Sequence, residues 1–131
     1  YGIAGNAYSD TACKRIFKLK KRPKNNPLIV HYYDLKNLKI DCDFNDDFIK
    51  LYKKFCPGPI TFILNLKTTS KISKFATNQK NTLAVRFPKH PIARNLLKDF
   101  LLQDVLEILQ LEYFFYLLQF LKFLMFFFDL K

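Results

Sequence analysis

Cationic side chains crowd into one short stretch, Lys20-Lys21-Arg22-Pro23-Lys24-Asn25-Asn26-Pro27, and the apolar run Leu28-Ile29-Val30 that follows ends on His31. Such a loop is suited to phosphate oxygens, because Arg offers a planar fork of donors and Lys a compact charge. The two prolines fix their own φ and push the residues before them out of helical geometry. The cations are therefore carried on a stiff turn at the mouth of a strand, a place to hold an anion. Farther along, Arg86 stands inside Thr82-Leu83-Ala84-Val85-Arg86-Phe87. A guanidinium in an apolar strand is expensive to bury unpaired and calls for an anionic partner, from protein or ligand. Taken singly, the lysines also read as a solvated face and His31 as a structural histidine. No Ser-His-Asp or Cys-His arrangement is visible, so the chemistry on offer is anion binding and not nucleophilic attack.

These residues need elements to position them. Apolar positions Ala12, Cys13, Ile16, Phe17 and Leu19 predict an amphipathic helix over residues 9–20, with Ser9 or Asp10 as N-cap. Leu28 to Tyr33 reads as a buried strand. Phe44, Phe48, Leu51, Tyr52 and Phe55 recur at helical spacing, and Pro57-Gly58-Pro59 stops that helix in a rigid turn. Ile60–Leu66 and Thr82–Phe87 are further strands, and a helix starts at Pro91, beside which His90 caps or packs. Helices alternating with strands argue an α/β domain.

The composition divides the chain. Residues 1–98 hold 20 Lys and Arg against six Asp and Glu, a balance of +14, whereas residues 99–131 hold two against five, or −3. Eight of the 15 phenylalanines fall in that tail, and no glycine or proline occurs after Pro91. The basic portion suits a polyanion such as RNA, or phosphate-bearing ligands; a lysine-rich surface without a partner gives the same count. Cys13, Cys42 and Cys56 are odd in number and lack CxxC spacing, which indicates neither a disulfide framework nor a zinc site and fits a reduced, cytoplasmic compartment. The sequence opens on Tyr1-Gly2-Ile3-Ala4 without a basic, signal-like region. Glu107, Glu112 and Lys122 interrupt the tail. A spanning helix wants roughly 20 apolar residues and an ionised residue at its centre costs about 3 kcal/mol, so a membrane span is disfavoured against an amphipathic segment.

Three motifs in order carry a family resemblance: Lys20-x-Arg22-Pro23-x-x-x-Pro27-Leu28-Ile29-Val30-His31; Phe55-Cys56-Pro57-Gly58-Pro59-Ile60-Thr61; and Asn81-Thr82-Leu83-Ala84-Val85-Arg86-Phe87-Pro88 with His90-Pro91. Over residues 1–98 the chain resembles the YrdC-type domain of L-threonylcarbamoyladenylate synthases. The resemblance implies a YrdC-like domain with a twisted mixed sheet and flanking helices, incomplete at both ends. It implies a nucleotidyltransferase reaction in which ATP, L-threonine and bicarbonate give threonylcarbamoyl-AMP and pyrophosphate, feeding threonylcarbamoyl modification of adenosine 37 in tRNA. Magnesium or another divalent ion accompanies the ATP, and no prosthetic group is implied. By match to the family's motifs, Lys20, Arg22, Asn26 and Thr82 would face ATP, and His31 and Arg86 would hold L-threonine. No residue is assigned as catalytic and none as a metal ligand. Implied partners are tRNA or double-stranded RNA and tRNA-modifying proteins; a non-catalytic double-stranded RNA or tRNA-binding module is the alternative reading.

The chain also departs from the family. The opening Tyr1-Gly2-Ile3-Ala4 resembles the end of a longer threonine-bearing motif, and no serine follows Ser73, so the family's serine-alanine-asparagine element is not in this sequence. The expected domains are a partial YrdC-like unit at 1–98 and an unrelated Phe/Leu-rich tail at 99–131, consistent with a shifted reading frame past residue 100. Negligible synthase turnover is expected of the chain as it stands.

Overall fold

The structure is a computed structural model that describes residues 3–23 and 25–101. Local sequence and observed elements agree along most of this span. In α1 (Asp10–Lys20) the Ser9 hydroxyl accepts from Ala12 N–H, with Asp10 in the first turn and Lys18 and Lys20 in the last, as the helix dipole favours. β1 (Ile29–His31) follows and is shorter than the apolar run suggested. Next come α2 (Leu35–Asp41), β2 (Cys42–Asp43) and α3 (Asp46–Phe55), the last capped by the Asn45 side chain accepting from Phe48 N–H at 3.0 Å. β3 (Thr61–Leu66), α4 (Lys74–Thr77), β4 (Thr82–Arg86) and α5 (Pro91–Leu101) complete the order. His90 Nδ1 accepts from Ile92 N–H at 3.3 Å, so this side chain caps α5.

The four strands form one mixed sheet in the order β1-β4-β3-β2, with β1 parallel to β4 and the other pairs antiparallel. One face is apolar: Val30, Leu83 and Val85 join Ile16 and Phe17 of α1, Leu38 of α2 and Phe48 of α3 in a single buried cluster. Each large side chain removed from water there contributes about 1.5–3 kcal/mol. Phe48 meets Phe62 edge-on at 5.0 Å between centroids and Tyr52 meets Phe87 at 4.8 Å, clamping α3 to β3 and to the end of β4. A mixed sheet with α1, α2 and α3 packed on its apolar face makes this an α/β domain, as expected.

Two local devices hold the connections. At Pro57-Gly58-Pro59 the Gly58 N–H donates to Phe87 O at 2.8 Å, and a Cβ on Gly58 would lie 2.2 Å from Phe55 O, so only glycine fits. Asp41 is fully buried, and its carboxylate accepts from the hydroxyls of Tyr8 (2.7 Å), Tyr32 (2.9 Å) and Ser70 (2.5 Å). Three distant segments are thereby tied to the end of α2. The expected boundary at residue 98 falls within α5; the expectations for the tail, the reading-frame shift included, concern residues 102–131 and lie outside the described residues, as does the resemblance carried by Tyr1 and Gly2.

Candidate functional site

Alternation along β4 decides what faces away from the helices. Leu83 and Val85 are buried in the apolar cluster, which turns Thr82, Ala84 and Arg86 to the opposite face. Phe87, 1% exposed and locked against Tyr52, fixes that parity at the end of the strand. β1 brings His31 level with Arg86, and Tyr32 N–H donates to Arg86 O at 3.0 Å just beyond. His31 is fully buried and Arg86 half-buried. The two residues matched to threonine binding are therefore neighbours on adjacent strands, about 4.8 Å apart along the sheet. A guanidinium beside an imidazole can take a carboxylate on its planar fork while the ring orients an adjacent polar group.

The basic loop is shaped at the end of α1. Lys21 adopts a left-handed backbone (φ 48°); its N–H donates to Lys18 O and that of Arg22 to Phe17 O at 3.0 Å, a Schellman cap. The Arg22 guanidinium then bonds within the loop, Nη2 to Pro27 O at 2.8 Å and Nε to Asn26 O at 3.2 Å. Asn26 is exposed, and Leu28 N–H donates to Ala76 O at 2.9 Å. Burial first, and then the charge of Arg22, lower the Lys20 ammonium pKa below its ordinary value. The second cause, a neighbouring cation, is one that an added anion would relieve.

The register separates the six matched residues into two stations. Carried two residues back from Ile29↔Ala84, it sets Pro27 level with Thr82, so the basic loop and Thr82 share one end of the β1–β4 pair. His31 and Arg86 occupy the other. Four residues of strand put Thr82 and Arg86 about 13 Å apart. Lys20 lies beside Arg22 at the loop end, whereas Arg22 also lines a cleft between α1 and α4 on the helix side.

Sequence reasoning missed two polar residues on the open face. Thr61 pairs with Arg86 and Asn65 with Thr82 across β3–β4, both exposed. The alternation Thr61-Phe62-Ile63-Leu64-Asn65-Leu66 held the signal, since it puts both polar groups on one side. Among the described residues no group of three or more His, Cys, Asp or Glu side chains is placed to hold a metal ion. Among the same residues no helix is long and apolar enough to cross a membrane.

The fold and this face define an α/β domain of the kind seen in solved Sua5. The crystal structure of Pyrococcus abyssi Sua5 complexed with L-threonine superposes with a TM-score of 0.72 at 34% identity, over 83% of this chain and 31% of that one. The family model Sua5_yciO_yrdC, described as telomere recombination, matches residues 1–105, and the chain belongs to this family. Two curated relatives are named threonylcarbamoyl-AMP synthase. The one from Pyrococcus abyssi is 36% identical over 99 residues, 75% of this chain and 28% of the relative. The one from Bacillus subtilis is 37% identical over 100 residues, 76% of this chain and 29% of the relative. The chain thus spans under a third of the length of either relative.

Proposed function

We propose that this chain forms the ATP- and threonine-binding floor of a threonylcarbamoyl-AMP synthase. The observation that carries the reading is the juxtaposition of His31 and Arg86 on β1 and β4, with Thr82 on the same face at the loop end. Arg86 takes the threonine carboxylate on its fork, and His31 orients the amino acid beside it. The threonine nitrogen bonds to the bicarbonate carbon as a C–O bond there breaks and water leaves, and an oxygen of the resulting carbamate bonds to the α-phosphorus as the bond to pyrophosphate breaks. Lys20 and Arg22 neutralise charge on the phosphates at the loop end, with Asn26 and Thr82 on the nucleotide side; alignment and charge compensation carry most of such a barrier. A divalent ion enters with ATP as part of the substrate. The product serves tRNA threonylcarbamoylation in the cytoplasm, with tRNA and tRNA-modifying proteins as partners.

The sequence lacks a serine-alanine-asparagine element, so ligand binding without measurable turnover is expected. Isothermal titration of the full chain with L-threonine and with ATP tests the binding, and pyrophosphate release in the presence of threonine, bicarbonate and ATP tests the turnover. The reading fails if threonine does not bind, or if Arg86→Ala binds it as tightly as the unaltered chain. Threonine-dependent pyrophosphate release would instead show that other residues replace the missing element. The alternative, a double-stranded RNA or tRNA-binding module, rests on the +14 balance of residues 1–98, and predicts salt-sensitive RNA affinity with no affinity for threonine.

A further inference from the structure

The open face of the sheet carries three rows of side chains in register. His31, Arg86 and Thr61 form the row at one end; Thr82 and Asn65 form the row at the other, level with Pro27 and the basic loop. Between them runs an apolar row of Ile29, Ala84 and Ile63. Ile63 is 66% exposed there, with Thr61 and Asn65 two residues away on either side. A single exposed isoleucine needs no explanation, but this one continues an apolar row across three strands and lies between two polar ones. Asn65 is exposed as well, and its amide offers a donor and an acceptor side by side. Two residues of strand separate it from Ile63, about 7 Å. Together they make an aliphatic floor bordered by one amide.

We infer that Ile63 and Asn65 select adenine in the nucleotide site, the ring lying on Ile63 with its N6/N7 edge against the Asn65 amide. The inference rests on the ATP-binding reading proposed above and adds the base to it. Strand order sets the direction. β4 sits between β1 and β3, so the basic loop and Asn65 flank Thr82 on opposite sides, about 10 Å apart across the sheet. Phosphates held at the loop therefore send the ribose over Thr82 and the base onto β3. A nucleotide turned along the strands would bring its base to His31 and Arg86, where threonine is placed. Adenine presents an acceptor, N7, beside a donor, N6, and an asparagine amide matches that pair with two hydrogen bonds. Guanine presents two acceptors on the same edge, N7 and O6, and leaves the amide oxygen facing an oxygen. The aliphatic floor reads no such pattern and holds either purine.

Isothermal titration of the full chain with ATP, GTP and 7-deaza-ATP, which lacks the N7 acceptor, provides the test. ATP is expected to bind at least about fivefold more tightly than either, the lower end of what such a pair discriminates. Asn65→Ala should bring ATP down to the level of GTP, with no further cost from the 7-deaza change, and Asn65→Gln should restore part of the preference. Ile63→Ser should weaken ATP and GTP by the same factor, about fivefold. An Asn65 that only supports the strand would shift all three nucleotides alike and leave their ratios unchanged in Asn65→Ala, which would overturn the inference. Equal affinity of the unaltered chain for ATP and GTP would overturn it too, while leaving the ATP-binding reading in place. Failure of every nucleotide to bind would remove that reading and the inference with it. Circular dichroism of each variant distinguishes a lost base contact from a lost fold.

Discussion

At Arg86 the identity of the cation should matter more than its charge. A planar fork meets a carboxylate with two parallel bonds, whereas an ammonium meets it at a point. Arg86→Lys is expected to weaken threonine binding by about 1.5–3 kcal/mol, the worth of hydrogen bonds to a charged group, read by isothermal titration; unchanged affinity would remove Arg86 from the threonine station. A second residue-scale consequence concerns alkaline stability. Burial first, and then the charges of Asp41 and Asp43, push the Cys42 thiol from its ordinary 9.0 up to about 12. The unfolded chain therefore releases this proton at a pH where the fold retains it, and stability present below pH 9 is lost as pH rises toward 12. Tyr32 is raised as well, from 10.0, by burial and then Asp41, and adds to the loss above pH 10. The urea midpoint should fall between pH 8 and pH 11, and fall less in Cys42→Ala; a midpoint unmoved by pH would contradict the assignment.

Among the elements, the turn and the buried carboxylate that hold the sheet in place are the sensitive points. Gly58→Ala drives a methyl into Phe55 O and should cost about 1–3 kcal/mol, as overpacking does. Asp41→Ala leaves the hydroxyls of Tyr8, Tyr32 and Ser70 without their common acceptor and should cost about 3 kcal/mol. Denaturant unfolding checks both, and neither should change threonine contacts directly. Four of the longer elements were legible in the sequence for physical reasons. α1, α3, β3 and β4 carry clear periods, and caps or prolines bound the helices. α2, β2 and α4 were not, because seven, two and four residues are too short for a period to register. The six site residues were legible through motif resemblance, but their division into a loop station and a strand station was not. That division follows from the β1–β4 register, which no local pattern encodes. The α1–α4 cleft was equally hidden, since it joins residues 10–22 to residues 74–79 only through folding.

For the molecule as a whole, every residue assigned to ATP or threonine lies between Lys20 and Arg86, inside the described span. A fragment of residues 1–101 should therefore bind threonine as the full chain does, within a factor of about 3 in affinity, given that single contacts outside the site rarely move binding further; a much larger loss would place part of the site in residues 102–131. The sheet order has a further consequence. β4 is the last strand among the described residues, yet it sits between β1 and β3. On the ribosome, the earlier strands emerge with no partner for β1, and the pairing that completes both stations is the most distant in sequence, the kind that forms slowly. Until β4 threads into its gap, the nascent chain presents two bare strand edges and no place for a substrate. If His31 and Arg86 hold threonine as proposed, binding requires β4 to have inserted beside β1, and a ligand added during synthesis would act as a sensor of that insertion.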